Sequence, residues 1–149
     1  MGTQCALAKT TDKSWFFQRH GTVVLDRDRY QLDFRNPDVR AYTRSVIDRL
    51  IQEYGIGYFK IDYNINAYTG TEYQADSAGD GLLEHNRAYL SWLDEIFAEY
   101  PDIVIENCSS GDLILSSQRF YGRTNDLQLR KLLSAPHPSE RTYGRFDRR

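Results

Sequence analysis

Long apolar runs are missing from the sequence, and its charge is not dominated by one sign. No apolar stretch reaches the ~18 residues of a membrane-spanning helix, and the N-terminus lacks a basic segment followed by an apolar core. The 19 basic and 21 acidic residues are interleaved, and the formal net charge is −2. These features argue against a membrane protein and against a nucleic-acid-binding surface, and they make a cytoplasmic location the default expectation.

Metal and redox motifs are missing as well. The two cysteines, Cys5 and Cys108, lie far apart and match no metal or redox spacing, which favours free thiols in a reducing compartment. His20, His85 and His137 show no ligand spacing, so we interpret them as solvated or packing residues. Because the sequence also has no glycine-rich phosphate loop, we predict neither a metal nor a cofactor.

What the sequence does contain is an alternation of strand and helix patterns. Strand-like runs occur at residues 23–25, 30–34, 56–64 and 103–108, and helical periodicity occurs after Asn36 and from about residue 80 to residue 100. Strands that alternate with helices are typical of parallel βαβ units, so the predicted fold class is α/β. The chain has 149 residues, fewer than the ~250 that a complete eight-fold β/α barrel usually needs.

Both predicted helices have recognisable ends. In the first, Asn36 can cap the N-terminus, Pro37 suits the first helical position, and Gly55 can end the helix. For the second, Asp80 is the predicted cap and Pro101 the terminator. The apolar stripe of the second helix is predicted to consist of Leu83, Leu90, Leu93, Phe97 and Tyr100.

Alternating polarity along the strands indicates one polar and one apolar face. The residues that share the face with the polar groups are Lys60, Asp62 and Asn64 on the second long strand, Arg29, Gln31 and Asp33 on the first, and Glu106 and Cys108 with the apolar Val104 on the third. A parallel sheet covered by helices normally has two apolar faces, whereas in a barrel the inward groups at the carboxyl ends of the strands line the active site. An exposed antiparallel sheet is the alternative that the pattern leaves open.

Three stretches carry a resemblance to a known family. They are Arg29–Phe34, Tyr58–Asn64 and Ile105–Gly111, in which Lys-x-Asp-x-Asn is followed about forty residues later by Glu-Asn-Cys-x-x-Gly. Together they resemble the catalytic barrel of glycoside hydrolase family 36, most of whose members are α-galactosidases, over about residues 5 to 111. The resemblance implies a partial (β/α)8 TIM barrel of parallel strands alternating with helices.

The resemblance also implies a retaining double displacement, in which one carboxylate attacks the anomeric carbon and a second protonates the leaving oxygen. By the family pattern Asp62 is the nucleophile. Lys60 would bind galactose hydroxyls and keep Asp62 charged, and Cys108 and Gly111 would shape the floor around the 2-hydroxyl. The residues assigned to substrate binding are Arg29, Lys60, Asn64, Cys108 and Gly111.

The acid/base aspartate is harder to place. Family members carry an Arg-x-Asp element after the cysteine strand and then a Ser-Asp element whose aspartate is the acid/base. Here Gly111-Asp112-Leu113 stands where the Arg-x-Asp element should begin. Arg123-Thr124-Asn125-Asp126 takes the place of the Ser-Asp element, with asparagine instead of serine. The interval between Cys108 and Asp126 is shorter than in the family. Asp126 is therefore the best candidate, with Asp112 and Asp102 as weaker alternatives and a surface role for Asp126 left open.

The resemblance limits what this chain would do alone. Residues 1–135 correspond to the central part of the barrel domain, and residues 136–149 are predicted to form an irregular tail. We expect hydrolysis of small α-galactoside oligosaccharides only in a fuller context, and because homo-oligomers are common in the family, the full-length protein is a candidate homo-oligomer. Three alternatives remain: an α-N-acetylgalactosaminidase, a non-catalytic or vestigial galactoside-binding fragment, and a truncated or frame-altered gene product.

Overall fold

The computed structural model describes residues 1–62, 65 and 69–108, with the backbone alone for residues 62, 107 and 108. In chain order the elements are α1 (Ala6–Thr10), β1 (Gln18–Arg19), β2 (Thr22–Val23), β3 (Leu25–Asp26), β4 (Arg29–Tyr30), α2 (Pro37–Tyr54), β5 (Tyr58–Asp62), α3 (Ala78–Glu99) and β6 (Val104–Cys108). A 3-10 turn at Lys13–Trp15 precedes β1. Within these ranges, no helix is long and apolar enough to cross a bilayer.

Two short antiparallel hairpins, β1–β2 and β3–β4, replace the first predicted strand of the parallel sheet. Arg27 and Asp28, which form the turn of the second hairpin, both have positive φ angles, the backbone conformation that a two-residue hairpin requires. This turn pairs Arg29 and Tyr30 with β3, and the strand ends there. The prediction that residues 30–34 form a strand beside the other two is therefore wrong.

Helix α2 begins and ends as the sequence predicts. The Oδ1 atom of Asn36 accepts a hydrogen bond from the backbone N–H of Asp38 at 2.8 Å, and Pro37 lies in the first turn. At the other end Gly55 has a φ of 66°, and its N–H donates to the carbonyl of Ile51 at 3.0 Å. Glycine adopts this left-handed conformation without the steric cost that a Cβ would bring.

The βαβ unit formed by β5, α3 and β6 confirms the α/β class. Strands β5 and β6 pair in parallel, with Tyr58 opposite Val104 at one end and Asp62 opposite Cys108 at the other. The connecting helix α3 begins at Ala78, two residues earlier than predicted. Its cap is Ser77, whose Oγ accepts from the N–H of Asp80 at 3.1 Å, so Asp80 lies in the first turn and does not cap the helix.

One apolar core joins both long helices to one face of the parallel strand pair. Its buried residues are Phe34, Val39, Ile47, Phe59, Trp92, Leu93, Ile96, Ile103 and Ile105. Of the stripe predicted for α3, Leu93 is buried and Leu90, Phe97 and Tyr100 pack at the margin of the core, while Leu83 does not belong to it. The buried face of α3 therefore differs from the predicted stripe, and it includes a polar residue, His85, whose ring contacts that of Phe34.

Candidate functional site

The second face of the parallel strand pair is polar and open. On β5 the side chain of Phe59 enters the core and is 8% exposed, while Tyr58 is 54% exposed. Lys60 follows the same alternation and is exposed. The predicted separation into a polar and an apolar face is therefore confirmed for this part of β5.

Glu106 holds the polar side chains of β5 together. It lies opposite Lys60 in the register, and its Oε1 atom is 3.2 Å from the ammonium nitrogen of Lys60. The hydroxyl of Tyr58 also donates a hydrogen bond to the Glu106 carboxylate. The sequence places Glu106 on the polar face but does not identify it as a site residue. Its partners lie on another strand, and Lys60 is 46 residues away in the chain.

The register places the predicted nucleophile beside a predicted substrate-binding residue. Asp62 and Cys108 are Cα partners, and each is the last residue of its strand. Neighbouring strands lie ~4.8 Å apart, so the two backbones are adjacent at the carboxyl edge of the sheet. The two motifs that carried the family resemblance therefore meet at one edge, one layer beyond the Lys60–Glu106 pair.

Other predicted site residues are distributed differently. Arg29 is exposed and lies in the antiparallel β3–β4 hairpin, not in the sheet with Asp62. Asp102 precedes β6 and thus lies at the amino edge, opposite the edge that carries Asp62, which removes it as an acid/base candidate. The remaining predictions fall outside the described residues: Asn64, Gly111, Asp112, Asp126, His137 and the tail 136–149.

A buried charged cluster connects the segment before α2 with α3. Asp33 is 2% exposed, and both of its carboxylate oxygens accept hydrogen bonds from the guanidinium of Arg35, with Nε at 3.0 Å from Oδ1 and 3.1 Å from Oδ2. His85 of α3 is 1% exposed, and its Nδ1 atom accepts from the backbone N–H of Phe34 at 3.1 Å. The predicted packing role of His85 is thus confirmed, while Arg35 gave no signal in the sequence because its partners are not part of a periodic pattern.

The environment of this cluster shifts two pKa values. Burial by itself raises the pKa of Asp33, but hydrogen bonds to its carboxylate, those from the Arg35 guanidinium among them, outweigh it and bring that pKa to about 2. Burial lowers the pKa of His85, an effect that Asp33 opposes without cancelling. At neutral pH the cluster therefore contains an ionised Asp33, a charged Arg35 and a neutral His85.

No three His, Cys, Asp or Glu side chains within residues 1–62, 65 and 69–108 are arranged to hold a metal ion.

Acidification should reveal the contribution of Asp33 to stability. Its pKa in the folded protein is about 2, below the ordinary value of 3.8, so its stabilisation is complete above pH 4 and lost as the pH falls through 2. A shift of this size corresponds to about 2 kcal/mol. We expect urea unfolding from pH 5 to pH 2 to show this loss in the native sequence and a flatter profile in Asp33→Asn, with exposed Asp102→Asn as the control. Equal slopes for all three proteins would contradict it.

The family model of the melibiases matches residues 7–116. No curated protein sequence matched the chain. Among solved structures, the galactosidase domain of an α-galactosidase–sucrose kinase is 23% identical, with a TM-score of 0.58 over 73% of this chain and 14% of that one. The α-galactosidase AgaB from Geobacillus stearothermophilus is 19% identical, with a TM-score of 0.61 over 74% of this chain and 16% of that one.

A third structure, the α-galactosidase from Lactobacillus brevis, is 17% identical, with a TM-score of 0.61 over 89% of this chain and 19% of that one. The chain thus spans less than a fifth of each of these three proteins. At such identities the structural likeness shows a shared fold. The family model matches more than half of the chain, and this match shows the family. The chain therefore belongs to the melibiase family, the α-galactosidases of glycoside hydrolase family 36.

Proposed function

We propose that residues 1–135 form the central part of a (β/α)8 catalytic barrel in a retaining α-galactosidase. The β5–α3–β6 unit supports this proposal because parallel strands with a crossover helix are the repeating unit of such a barrel. The polar face of the unit would be the inward face, and the face covered by α2 and α3 would be the outward one. A cytoplasmic location remains a prediction.

The observation that carries the proposal is the pairing of Asp62 with Cys108 at the carboxyl edge of the sheet. In barrel enzymes the active site is built at this edge, from residues at the ends of several strands. A nucleophile and a residue that shapes the sugar site must lie side by side, and the register satisfies this requirement at the level of the backbone. The alternative of an exposed antiparallel sheet has no support, because β5 and β6 are parallel.

In the proposed mechanism Asp62 attacks the anomeric carbon and the bond to the leaving oxygen breaks as that oxygen takes a proton from the acid/base, for which Asp126 is the candidate. Water then attacks the galactosyl enzyme while the acid/base accepts its proton. Lys60 would keep Asp62 ionised, because a nearby opposite charge favours the charged form. Glu106 would restrict the Lys60 ammonium to one position by the 3.2 Å contact.

Terminal α-galactosides are the proposed substrates. The α-galactosidase AgaA of Geobacillus stearothermophilus matches this chain in fold. One variant of AgaA was crystallised with raffinose and is 21% identical to this chain. Another variant was crystallised with stachyose and is 19% identical. Raffinose and stachyose are both oligosaccharides, which supports a sugar-binding site. We propose that the full-length protein containing this chain acts on the same class.

Product stereochemistry tests the proposal. The full-length protein should release p-nitrophenol from the aryl α-galactoside, and ¹H NMR should show α-galactose before mutarotation produces the β anomer, because two displacements retain the configuration. The aryl α-N-acetylgalactosaminide serves as the matched substrate and should react much more slowly. Initial β-galactose would contradict the retaining mechanism, preference for the acetamido sugar would identify an α-N-acetylgalactosaminidase, and binding without release would identify a non-catalytic domain.

A further inference from the structure

The loop between β5 and α3 begins directly after Asp62 and ends at Ser77, the cap of α3. In the described part of this loop, residues 69–77, short-range backbone bonds are few and long: Thr71 donates to Ala78 at 3.3 Å and Ala75 to Glu72 at 3.3 Å. Internal bonds of this kind do not fix a loop of this length. Two sets of contacts set its position: those with the β1–β2 hairpin, where the N–H of Glu72 donates to the carbonyl of Gln18 at 3.0 Å, and those with Arg35, just before α2.

Arg35 contacts the loop at residues 73 and 74, beyond the part held by the β1–β2 hairpin. Its Nη2 atom donates to the carbonyl of Tyr73 at 2.8 Å, and its Nη1 atom lies 3.4 Å from the carbonyl of Gln74. Asp33 binds the adjacent edge of the same guanidinium, through Nε and Nη2, and the Arg35 side chain is 17% exposed. A planar guanidinium that is fixed by a carboxylate on one edge holds whatever else it binds in a defined orientation.

The segment that carries Arg35 is itself fixed to α3. His85 accepts the N–H of Phe34 through Nδ1, and that nitrogen lies 3.8 Å from Oδ1 of Asp33. The ring of His85 also packs edge to face against Phe17 and Phe34, with centroids 4.7 and 5.8 Å apart. Arg35 therefore connects the loop to a buried point on the helix that the loop enters.

Two further observations show that the loop is held in place. Gln74 has a φ of 51°, a left-handed conformation that residues other than glycine adopt rarely and only where surrounding contacts impose it. Thr71 is fully buried, and its Oγ1 atom accepts from the backbone N–H of Gln18 at 3.1 Å. The contact between Arg35 and the loop thus includes the residue with the left-handed conformation and follows the buried Thr71 by two residues.

We propose that Arg35 is a positioning residue for the galactosidase reaction, acting by holding the loop that follows the nucleophile strand against the α3 end of the unit. This inference rests on the proposed function, because loops at the carboxyl ends of barrel strands build the active site. Arg35 acts through the backbone at residues 73 and 74. A purely structural role would change global stability and leave the loop and the kinetic constants of the folded enzyme unaltered.

Hydrogen exchange with mass spectrometry tests the positioning role directly in the full-length protein. In Arg35→Ala, peptides from residues 69–77 should exchange at least tenfold faster while those of α2 remain unchanged. Arg35→Lys keeps the positive charge but loses the planar guanidinium with its several N–H donors. The exchange rate of residues 69–77 in this variant should lie between those of Arg35→Ala and the native protein. Arg49→Ala, at an exposed position of α2, is the matched control and should change neither segment. Unaltered exchange of residues 69–77 in both Arg35 variants would overturn the proposal.

Kinetics on the aryl α-galactoside, well below the unfolding temperature, provides the second test. We expect Arg35→Ala to lower kcat about tenfold and to raise KM less, since displacement of a positioning loop by ~1 Å costs up to 10²-fold in rate. Millimolar guanidinium should restore part of the loss in Arg35→Ala and none in Arg49→Ala. A lowered Tm with unchanged kcat and KM would refute the positioning role. An inactive native protein would instead refute the proposed function, and hydrogen exchange would still decide whether Arg35 holds the loop.

Discussion

Replacing Asp62 with alanine in the full-length protein is expected to lower kcat on aryl α-galactosides by roughly four orders of magnitude, because the substitution removes the nucleophile. The remaining machinery can still bind the sugar, so KM should change little. The substitution also leaves a space beside the anomeric carbon. A small anion can enter this space and attack in place of the carboxylate.

Azide makes this prediction specific to the nucleophile. In Asp62→Ala azide should restore activity and give the β-galactosyl azide, because a single displacement inverts the α-configured substrate. In Asp126→Ala the galactosyl enzyme still forms from an activated substrate, and azide should give the α-galactosyl azide after two displacements. The two variants would thus assign the two carboxylates by the configuration of their products.

Asp102→Ala is the matched control, since Asp102 is an exposed aspartate at the amino edge of β6. Its activity should stay within about twofold of the native value, as for surface substitutions away from a site. Full turnover in Asp62→Ala, or α-galactosyl azide from that variant, would rule out Asp62 as the nucleophile.

Gly81→Ala is expected to destabilise the fold strongly for a change of one methyl group. A Cβ at this position would lie 1.9 Å from the carbonyl oxygen of Thr71, which is backbone, and Thr71 is fully buried and bonded to Gln18. Overpacking of this kind costs up to about 3 kcal/mol. The gain of about 1 kcal/mol in helix propensity offsets part of that cost, so the net loss should be about 2 kcal/mol.

Gly79→Ala on the same helix is its control. Among the residues that the structure describes, a Cβ there comes within 4 Å of the Ser77 Oγ alone, so this substitution should gain roughly 0.5 kcal/mol from propensity alone. Urea unfolding of both variants should therefore show shifts of opposite sign. Shifts of the same sign would mean that Gly81 is not required for the close approach of the loop to α3.

Local signals explain which parts of the fold could be predicted. The ends of α2 were predictable because Asn36, Pro37 and Gly55 act within one turn of themselves. The start of α3 was wrong by two residues because two capping residue types, Ser77 and Asp80, stand three positions apart and both suit a helix start. The first strand was wrong because the turn at residues 27 and 28 contains no glycine and did not indicate a two-residue hairpin.

Long-range contacts explain what could not be predicted in the candidate site. The family motifs identified Asp62 and Cys108, and the parallel register confirms that their backbones are neighbours. Glu106 was missed because its partners lie on another strand, and the contact of Arg35 with the loop was missed because Tyr73 is 38 residues away. Their roles depend on which strands and loops come into contact. A single sequence does not show these long-range contacts, because they leave no short repeating pattern of residues. The roles of Asn64, Gly111 and Asp126 remain predictions.

The parallel pairing of β5 and β6 has a consequence for how the protein is made. Lys60 and Glu106 are 46 residues apart in the chain, so their strands can associate only after the intervening helix has been synthesised and compacted. Closing so large a loop costs entropy before any strand contact repays it, and such pairings form slowly. Helix α2, with its local caps, should therefore become ordered early during translation, and the edge that carries Asp62 should be among the last parts to assemble.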